Sequence, residues 1–384
     1  MRRKRFFIPR LVAFLVIAVG MGVGFVWSVQ IEDGVNNLMG NERTTDVVTF
    51  DGGLAVHFID VGQADATVIE FPSGEIMMID AGHWLNPARN AIRDYLNAHI
   101  FVGGRERVID WFVATHAHAD HIGQAAYFID NNTVKNIVRP LTFSQAEFDN
   151  HVYYTEFGLS RPVTTLDTAT MRNFVRAMNE SGAEIIIPPM PGEYFYIGEG
   201  DAAARVTFWS PTTHFYGTGA INELSTIFCV YFNGFRIMFT GDAYRINEER
   251  VMNILPAGFH VNVLDVGHHG SRTSSLPAFI ERIRPTTGEF YAIIQVGSGN
   301  RYGHPHADVV EMLEEAGANI KRTDQDGNVF IRVSSCGSTF EVDGVIVQTG
   351  FWFPYWILAM IVVVIAACLL LSWDLFGKRR RNRR

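Results

Sequence analysis

Four side chains of the kinds that bind metal ions lie within a stretch of six residues in the first third of the chain. They are His116, His118, Asp120 and His121. The apolar run that ends at Ala114 predicts a buried strand, and Gly123 predicts the beginning of a helix. The four side chains therefore fall in a strand-to-helix loop, where catalytic groups are commonly presented. Imidazoles and a carboxylate together suit zinc, and also manganese or iron.

The spacing of these residues favours two cations over one. His116 and His118 are two positions apart in an extended loop, so their side chains point the same way and can hold one cation. Asp120 and His121 then turn toward a second cation. A chance cluster of solvated histidines would not lie between a buried strand and a helix that begins at glycine. The segment therefore predicts a two-cation site.

Three further segments place Asp or His directly after an apolar run. The residues concerned are Asp80, Asp242 and the pair His268 and His269. Each is a weak indication alone, because an Asp or His in a turn is more often a cap than a ligand. Together with the first cluster they repeat the same placement four times, which predicts that these groups meet at one edge of a sheet.

These segments resemble the metallo-β-lactamase superfamily, whose signature is His-x-His-x-Asp-His. Within that superfamily, the chain is similar to the extracellular hydrolase domain of the ComEC competence family. The likeness covers roughly residues 54–333. The matching segments are Phe58–Asp65, Asp80–Gly82, Thr115–His121, Thr240–Asp242, Gly267–Ser271, Asn300–Pro305 and Arg322–Gly327.

The resemblance implies an αβ/βα sandwich with two divalent cations at one edge, zinc being expected and manganese the alternative. It assigns His116 and His118 to the first cation. The second would be served by Asp120, His121 and His268, with Asp242 bridging both. Asp80 would orient ligands from an outer position, and His269 and His304 would contact a phosphate or a leaving group. The catalytic candidates are thus Asp120, His269 and His304. The sequence leaves open whether His268 or His269 is the ligand, and His268 is favoured.

Three departures from the family pattern affect these expectations. The superfamily often supplies another histidine just before the strand that precedes the Gly-Asp pair, whereas this chain has Asn222-Glu-Leu-Ser225. The first cation would then be held less tightly or have an open position. Ala64 stands where the family favours glycine. The many membrane helices of the competence family are missing, and two spans are too few to form a DNA channel.

Short apolar runs alternate with helical patterns along the chain, which predicts an α/β fold for a hydrolase domain at 54–345. Tight turns at Pro72-Ser73-Gly74 and Asn233-Gly234 predict hairpins, so mixed sheets with helices outside are expected. Residues 143–166, rich in aromatics and His, are either a loop over the site or a surface insertion, and the insertion is favoured. The predicted helices are 87–98, 123–130, 168–181, 245–255, 276–283 and 306–316.

Two uncharged segments predict transmembrane helices at 11–30 and 351–373. The run Leu11–Val29 would be roughly 28 Å long as a helix, close to the thickness of a bilayer core of about 30 Å. A cleaved signal peptide is the alternative for the first segment, but the run is long for a signal core and no Ala-x-Ala pattern follows it. Basic tails at 1–10 and 374–384 predict that both termini are cytoplasmic. The linker 31–53 and the hydrolase domain would then face the other side of the membrane.

The part of the chain between the spans is acidic. Without the two tails, 21 Lys and Arg face 39 Asp and Glu, a net charge of about −18. This disfavours tight binding of long nucleic acids, which needs clustered Lys and Arg, although a locally basic groove is still compatible with it. The three cysteines have neither a disulfide nor a metal-site spacing.

The sequence is compatible with three functions. The first is a membrane-anchored, extracytoplasmic phosphodiesterase or nuclease in which two cations share and activate a water. Its substrate would be extracellular nucleic acid or a phosphodiester-linked wall or lipid head group. The second is a thioesterase, lactonase or β-lactamase-type hydrolase of the same fold. The third is a non-catalytic surface binding protein, against which the full set of ligand types argues. The sequence identifies no protein partner.

Overall fold

Two mixed β-sheets face each other in the computed structural model, which describes residues 52–140, 168–210, 221–337 and 339–348. Within those ranges the first sheet has nine strands in the order β16-β15-β14-β1-β2-β3-β4-β5-β6. Its strands are β1 (Leu54–Phe58), β2 (Thr67–Glu70), β3 (Ile76–Ile79), β4 (Val108–Val113), β5 (Thr133–Val138), β6 (Glu184–Ile186), β14 (Val329–Val333), β15 (Thr339–Val342) and β16 (Val345–Gln348).

The second sheet has seven strands within the same ranges, in the order β13-β12-β11-β10-β9-β8-β7. Its strands are β7 (Tyr194–Ile197), β8 (Ala204–Phe208), β9 (Phe228–Phe232), β10 (Phe235–Phe239), β11 (Val263–Asp265), β12 (Phe290–Ile294) and β13 (Ala318–Arg322). Both sheets change from antiparallel hairpins to parallel crossovers along their width. The pairs β2–β3 and β9–β10 are antiparallel, while β3–β4 and β10–β11 are parallel.

Helices cover the outer faces of both sheets. The first helix, α1 (Asn86–Tyr95), continues through one π-helical turn at Leu96–Ile100. The others are α2 (Ala125–Asp130), α3 (Ala169–Glu180), α4 (Arg245–Ile254), α5 (Pro277–Ile283), α6 (Ala307–Glu315) and the single turn α7 (Thr323–Asp326). Pro is favoured in the first turn of a helix, and α1 and α5 both carry one there.

Three hydrophobic layers hold these elements together. The central layer contains inward-facing residues of both sheets, among them Phe58, Phe228 and Phe239. A second layer packs the first sheet against α1, α2 and α3. A third packs the second sheet against α4, α5 and α6. The predicted αβ/βα sandwich is therefore confirmed for the described residues.

The predicted helices lie within a few residues of the observed ones, and the hairpins at Pro72-Ser73-Gly74 and Asn233-Gly234 are confirmed. The prediction that Gly123 begins a helix was wrong, because α2 begins at Ala125. Gly123 is instead required by close packing: a Cβ there would lie 2.2 Å from the backbone nitrogen of Trp84. Its own N–H donates to the carbonyl of Gly82.

The predicted transmembrane segments 11–30 and 351–373, both basic tails and nearly all of the linker 31–53 lie outside the described residues. So does the irregular stretch 143–166. Among the residues that the structure does describe, no helix combines the length and the apolar character needed to cross a bilayer.

Replacement of Phe239 by Ala tests the central layer. The Phe239 ring is fully buried, and its centroid lies 6.3 Å from that of Phe58 on the other sheet and 5.1 Å from that of Phe228. Phe239→Ala should lower the free energy of unfolding by about 3–5 kcal/mol, because it opens a cavity between the sheets. Urea unfolding of the full-length protein in detergent, followed by tryptophan fluorescence, measures this. Tyr196→Ala is the matched control, since that side chain is 56% exposed; an equal loss in both variants would contradict the expectation.

Candidate metal centre

The predicted site residues meet where parallel strands of both sheets end. Asp80 follows β3, and the loop 114–124 follows β4, its parallel neighbour. On the second sheet, Asp242 follows β10, and the pair His268 and His269 follows β11. The carboxyl ends of parallel strands are where α/β sheets commonly place their ligands. Here two such edges, one from each sheet, contribute side chains to one cluster.

The two carboxylate oxygens of Asp242 face different imidazoles. Its Oδ2 lies 3.6 Å from His116 Nε2 and 3.6 Å from His268 Nε2. Its Oδ1 lies 3.2 Å from His121 Nε2 and 3.9 Å from His269 Nε2. Asp242 is itself 1% exposed. The carboxylate therefore divides the imidazoles into two groups, which we call the first group (on Oδ2) and the second group (on Oδ1).

The remaining predicted ligands join these groups. His118 Nδ1 lies 3.1 Å from His116 Nε2, so His118 extends the first group. Asp120 Oδ2 lies 3.6 Å from His269 Nε2, so Asp120 extends the second. Among the described residues, compact triads whose ligand atoms all lie within 4.8 Å of one another include His116, His121 and Asp242, and also Asp120, His121 and His269.

Unpaired buried atoms indicate that the cluster fits a divalent cation. Four polar atoms have no hydrogen-bond partner and are shielded from solvent: Nε2 of His121, Nε2 of His269, Oδ1 of Asp242 and Oδ1 of Asp65. A buried polar atom without a partner costs about 1–3 kcal/mol. Imidazole nitrogens and carboxylate oxygens facing one another are the donor set that zinc and manganese accept. A cation would satisfy these atoms together.

The buried charges of the cluster shift its protonation strongly. Burial alone would lower the pKa of His121, but the carboxylates of Asp242 and Asp80 outweigh it and raise that pKa well above its usual value. The same balance of burial against Asp65 and Asp242 raises the pKa of His269. Burial and the neighbouring His116 lower the pKa of His118 to about 4. The carboxylates thus attract positive charge to the cluster, and a divalent cation that displaced those protons would supply it.

Asp80 lies behind the cluster, as expected for a residue that orients a ligand. His121 Nδ1 donates to Asp80 Oδ2 at 2.7 Å, which leaves His121 Nε2 directed at Asp242. Thr115 donates to the same carboxylate with its backbone N–H at 2.8 Å and its hydroxyl at 2.6 Å. The side chain of Asp80 therefore holds both the beginning of the loop 114–124, which we call the histidine loop, and the ring of His121. This sets the direction of the lone pair on the His121 ring.

Gly241 allows Asp242 to approach the histidine loop. Its φ of 48° is in the left-handed region that favours glycine, and a Cβ there would lie 2.9 Å from the Thr115 side chain. Thr240 fixes the same turn by donating its hydroxyl to the carbonyl of Asp265 at 2.8 Å. The Thr-Gly-Asp segment thus brings the carboxylate against the first sheet without a clash.

The structure distinguishes the two adjacent histidines that the sequence could not. His269 is 3% exposed, and its Nδ1 lies 2.8 Å from the carbonyl oxygen of Gln295, so Nε2 points at the second group. His268 lies at the open side of Asp242 and is outside the compact triads of described residues. The geometry therefore favours His269, and not the His268 preferred from sequence, as the partner of Asp120 and His121.

Asp65 joins the site although sequence reasoning did not single it out as a ligand. Its Oδ1 lies 3.1 Å from His269 Nδ1, and its Oδ2 lies 3.7 Å from His121 Nδ1. Its backbone N–H donates to the carbonyl of Asp120, which ties the turn after β1 to the histidine loop. The available signal was its position at the end of the segment Phe58–Asp65, which matched the resembled family.

A cavity of about 350 Å³ opens above the cluster and is lined mainly by polar side chains. His304 lines it, with a buried Nδ1 that has no hydrogen-bond partner. Burial and the neighbouring imidazoles of His268 and His269 lower the pKa of His304 to about 4. Asn300 holds this loop by accepting from the His304 N–H at 3.0 Å and donating to its carbonyl at 2.6 Å. His304 is therefore a neutral imidazole facing the space that a substrate would enter.

The two-sheet sandwich and the His/Asp cluster at its edge define a metal-binding protein of hydrolase type. The family model described as the metallo-beta-lactamase superfamily matches residues 59–292, more than half of the chain. The chain belongs to that superfamily, whose fold implies bound divalent metal ions.

Curated relatives confirm the predicted likeness to the ComEC competence family. ComE operon protein 3 of Bacillus subtilis is 28% identical over 300 residues, covering 75% of this chain and 34% of that protein. Recombination protein 2 of Haemophilus influenzae is 33% identical over 112 residues, covering 29% of this chain and 13% of that protein. The match thus spans about a third of the first relative and less of the second. A metallo-beta-lactamase fold protein of Bacillus subtilis, YhfI, is similar in structure with a TM-score of 0.39 and 11% identity, over 70% of this chain and 96% of that one.

Replacement of Asp80 by Asn tests its positioning role. The change keeps the size of the side chain but weakens its hold on the His121 ring, so the affinity for Zn²⁺ should fall by about 10- to 100-fold. Competition with a chromophoric chelator, using the full-length protein in detergent, measures this directly. Asp130→Asn is the matched control, because that carboxylate pairs with Arg176 on the surface. Equal affinity in the Asp80 variant and the wild type would refute the role.

Proposed function

We propose that the chain is a binuclear metal-dependent phosphodiesterase, anchored in the membrane with its catalytic domain on the extracytoplasmic side. The observation that carries the proposal is the division of the imidazoles by Asp242. A carboxylate that faces histidines with both of its oxygens is suited to bridge two cations, with His116 and His118 on one side and Asp120, His121 and His269 on the other. Zinc is the expected metal and manganese the alternative.

Two cations held there would lower the pKa of water and neutralise charge on a phosphoryl group. Residues of the chain would orient the metal ligands and contact the substrate. Asp80 and Gln295 hold the rings of His121 and His269 in fixed directions. His304 lines the cavity as a neutral imidazole and would donate a hydrogen bond to a phosphate oxygen or to the leaving group. A phosphodiester brings the negative charge that such a site attracts.

The charge of the domain bears on the substrate class. A net charge of about −18 between the predicted spans repels long polyanions, which favours small phosphodiesters such as wall or lipid head groups over long DNA. A nuclease acting on short extracellular fragments is compatible with the same site.

Hydrolysis of bis(p-nitrophenyl) phosphate by the full-length protein in detergent tests the reaction class. We expect metal-dependent release of nitrophenol, reduced by about 100-fold or more in His118→Ala, because a ligand of the first cation is lost. His260→Ala is the matched control, since that imidazole interacts with the carbonyl of Gly258 in a loop outside the site.

Other outcomes would identify the competing functions. Turnover of nitrocefin or thioesters without phosphodiester hydrolysis would establish a carbonyl hydrolase of the same fold. Absence of metal in the gently purified protein, by elemental analysis, would point to a non-catalytic surface binding protein.

Reporter fusions test the proposed topology. Alkaline phosphatase fused after Arg384 should be inactive, because the basic C-terminal tail is expected to stay in the cytoplasm. The same reporter fused after residue 345, before the second predicted span, should be active and serves as the control. Activity from the first fusion would refute a two-pass arrangement with both termini inside.

A further inference from the structure

His268 and His269 share an unusual backbone conformation. Both lie in the left-handed region, with φ of 53° and ψ of 44° and 29°. Non-glycine residues rarely adopt it, and two in succession are a costly arrangement that persists only when the surroundings require it. Its effect here is visible in the contacts: one turn directs two neighbouring imidazoles at the two different oxygens of Asp242.

Asn222 lies beside the first of these imidazoles. Its Nδ2 is 3.3 Å from His268 Nε2 and 3.5 Å from Asp242 Oδ2, and the residue is 3% exposed. This is the segment in which the sequence lacks the histidine that the superfamily often supplies. The amide is shorter than an imidazole, and the ring of His268 reaches the space next to it from another loop. Although the chain lacks that histidine, the first group on Asp242 Oδ2 still contains three imidazoles, those of His116, His118 and His268.

We propose that His268 is the third imidazole ligand of the first cation, in place of the histidine that is missing from the segment 222–225. His269 then binds the second cation only, together with Asp120 and His121. The assignment rests on the two-cation site proposed above and deepens it, because it assigns one of the two adjacent histidines to each cation.

Two further contacts support the proposal. His268 Nδ1 lies 2.7 Å from Thr273 Oγ1, and when that nitrogen donates to the hydroxyl, Nε2 carries the lone pair that a cation needs. His268 Nε2 and His116 Nε2 are both 3.6 Å from Asp242 Oδ2. The side chain of His268 is 20% exposed, against 0% for His116. His268 is therefore the ring with room to move toward a bound cation.

Metal binding, measured without any substrate, tests the assignment. The full-length protein in detergent is stripped of metal and titrated with Co²⁺, and bound metal is counted by elemental analysis and followed by the visible absorption of the ion. The wild type should bind two ions. His268→Ala should weaken one of them by 100-fold or more and leave the other within about threefold. His260→Ala is the control and should bind two ions as the wild type does.

Double variants identify which ion is lost. Adding His116→Ala to His268→Ala should remove no further ion, because both residues serve the same cation. Adding His269→Ala should remove the remaining one. Adding Asn222→His should restore binding of the first cation, because Asn222 Nδ2 lies 3.5 Å from Asp242 Oδ2 and an imidazole at that position would reach the same oxygen. This rescue is not expected if His268 only contacts substrate.

Several results would overturn the assignment. Two tightly bound ions in His268→Ala would show that His268 is not a ligand. The assignment would also be wrong if His268→Ala and His269→Ala lost the same ion. It would be wrong as well if His268→Ala lost both ions while its metal-free unfolding temperature matched that of the wild type. If His268→Ala does not fold, His268→Gln replaces it under the same criteria. Fewer than two ions in the wild type would instead contradict the binuclear function proposed above.

Discussion

The buried carboxylate of Asp242 is the constraint on which the site depends. A carboxylate withdrawn from water is stable only when positive charge or hydrogen-bond donors surround it. Burial would raise its pKa, but the nearby imidazoles, first of all that of His121, hold it well below the usual value. The fold therefore has to deliver imidazoles to both oxygens of Asp242, and nearly every local feature of the site serves that requirement.

The two sheets share this task. The first contributes the loop after β4, which Asp80 and Thr115 hold against the end of β3. The second contributes the turns after β10 and β11, which Thr240 joins to each other. Both sheets are fixed by the same central hydrophobic layer, so the ligands on opposite sides of the site are held by packing as well as by hydrogen bonds. A site on rigid strand ends can keep unpaired polar atoms buried until a cation binds.

The floor and the rim of the cavity differ in character. The floor consists of buried rings and carboxylates whose directions are set by second contacts. The rim carries Tyr302, whose side chain is 51% exposed, together with His304 and Tyr244. In the proposed function, the floor would bind the metal ions, whereas groups that reach into the open space would select the substrate. Members of one superfamily can therefore share a metal centre and act on different substrates.

The sequence alone determined the features that are local along the chain. Helical patterns located α1 to α6 but not the single turn α7, and four metal-binding types of side chain within one short loop indicated a metal centre. Strands β13 and β15 read Ala-Asn-Ile-Lys-Arg and Thr-Phe-Glu-Val, so they contain no continuous apolar run from which periodicity could locate them. The resemblance to a known family supplied the expectation that Asp242 bridges two cations, which spacing could not.

Only the tertiary structure decided how the distant segments meet. Asp65 belongs to the site because a turn after β1 lies against His269, about two hundred positions further along the chain. His268 and His269 are identical in type and adjacent in sequence, so no pattern separates them. Their backbone angles and their neighbours Thr273 and Gln295 direct the two rings to different oxygens. Side-chain direction depends on φ and ψ and on partners across the two sheets, and these exist only once the chain has folded.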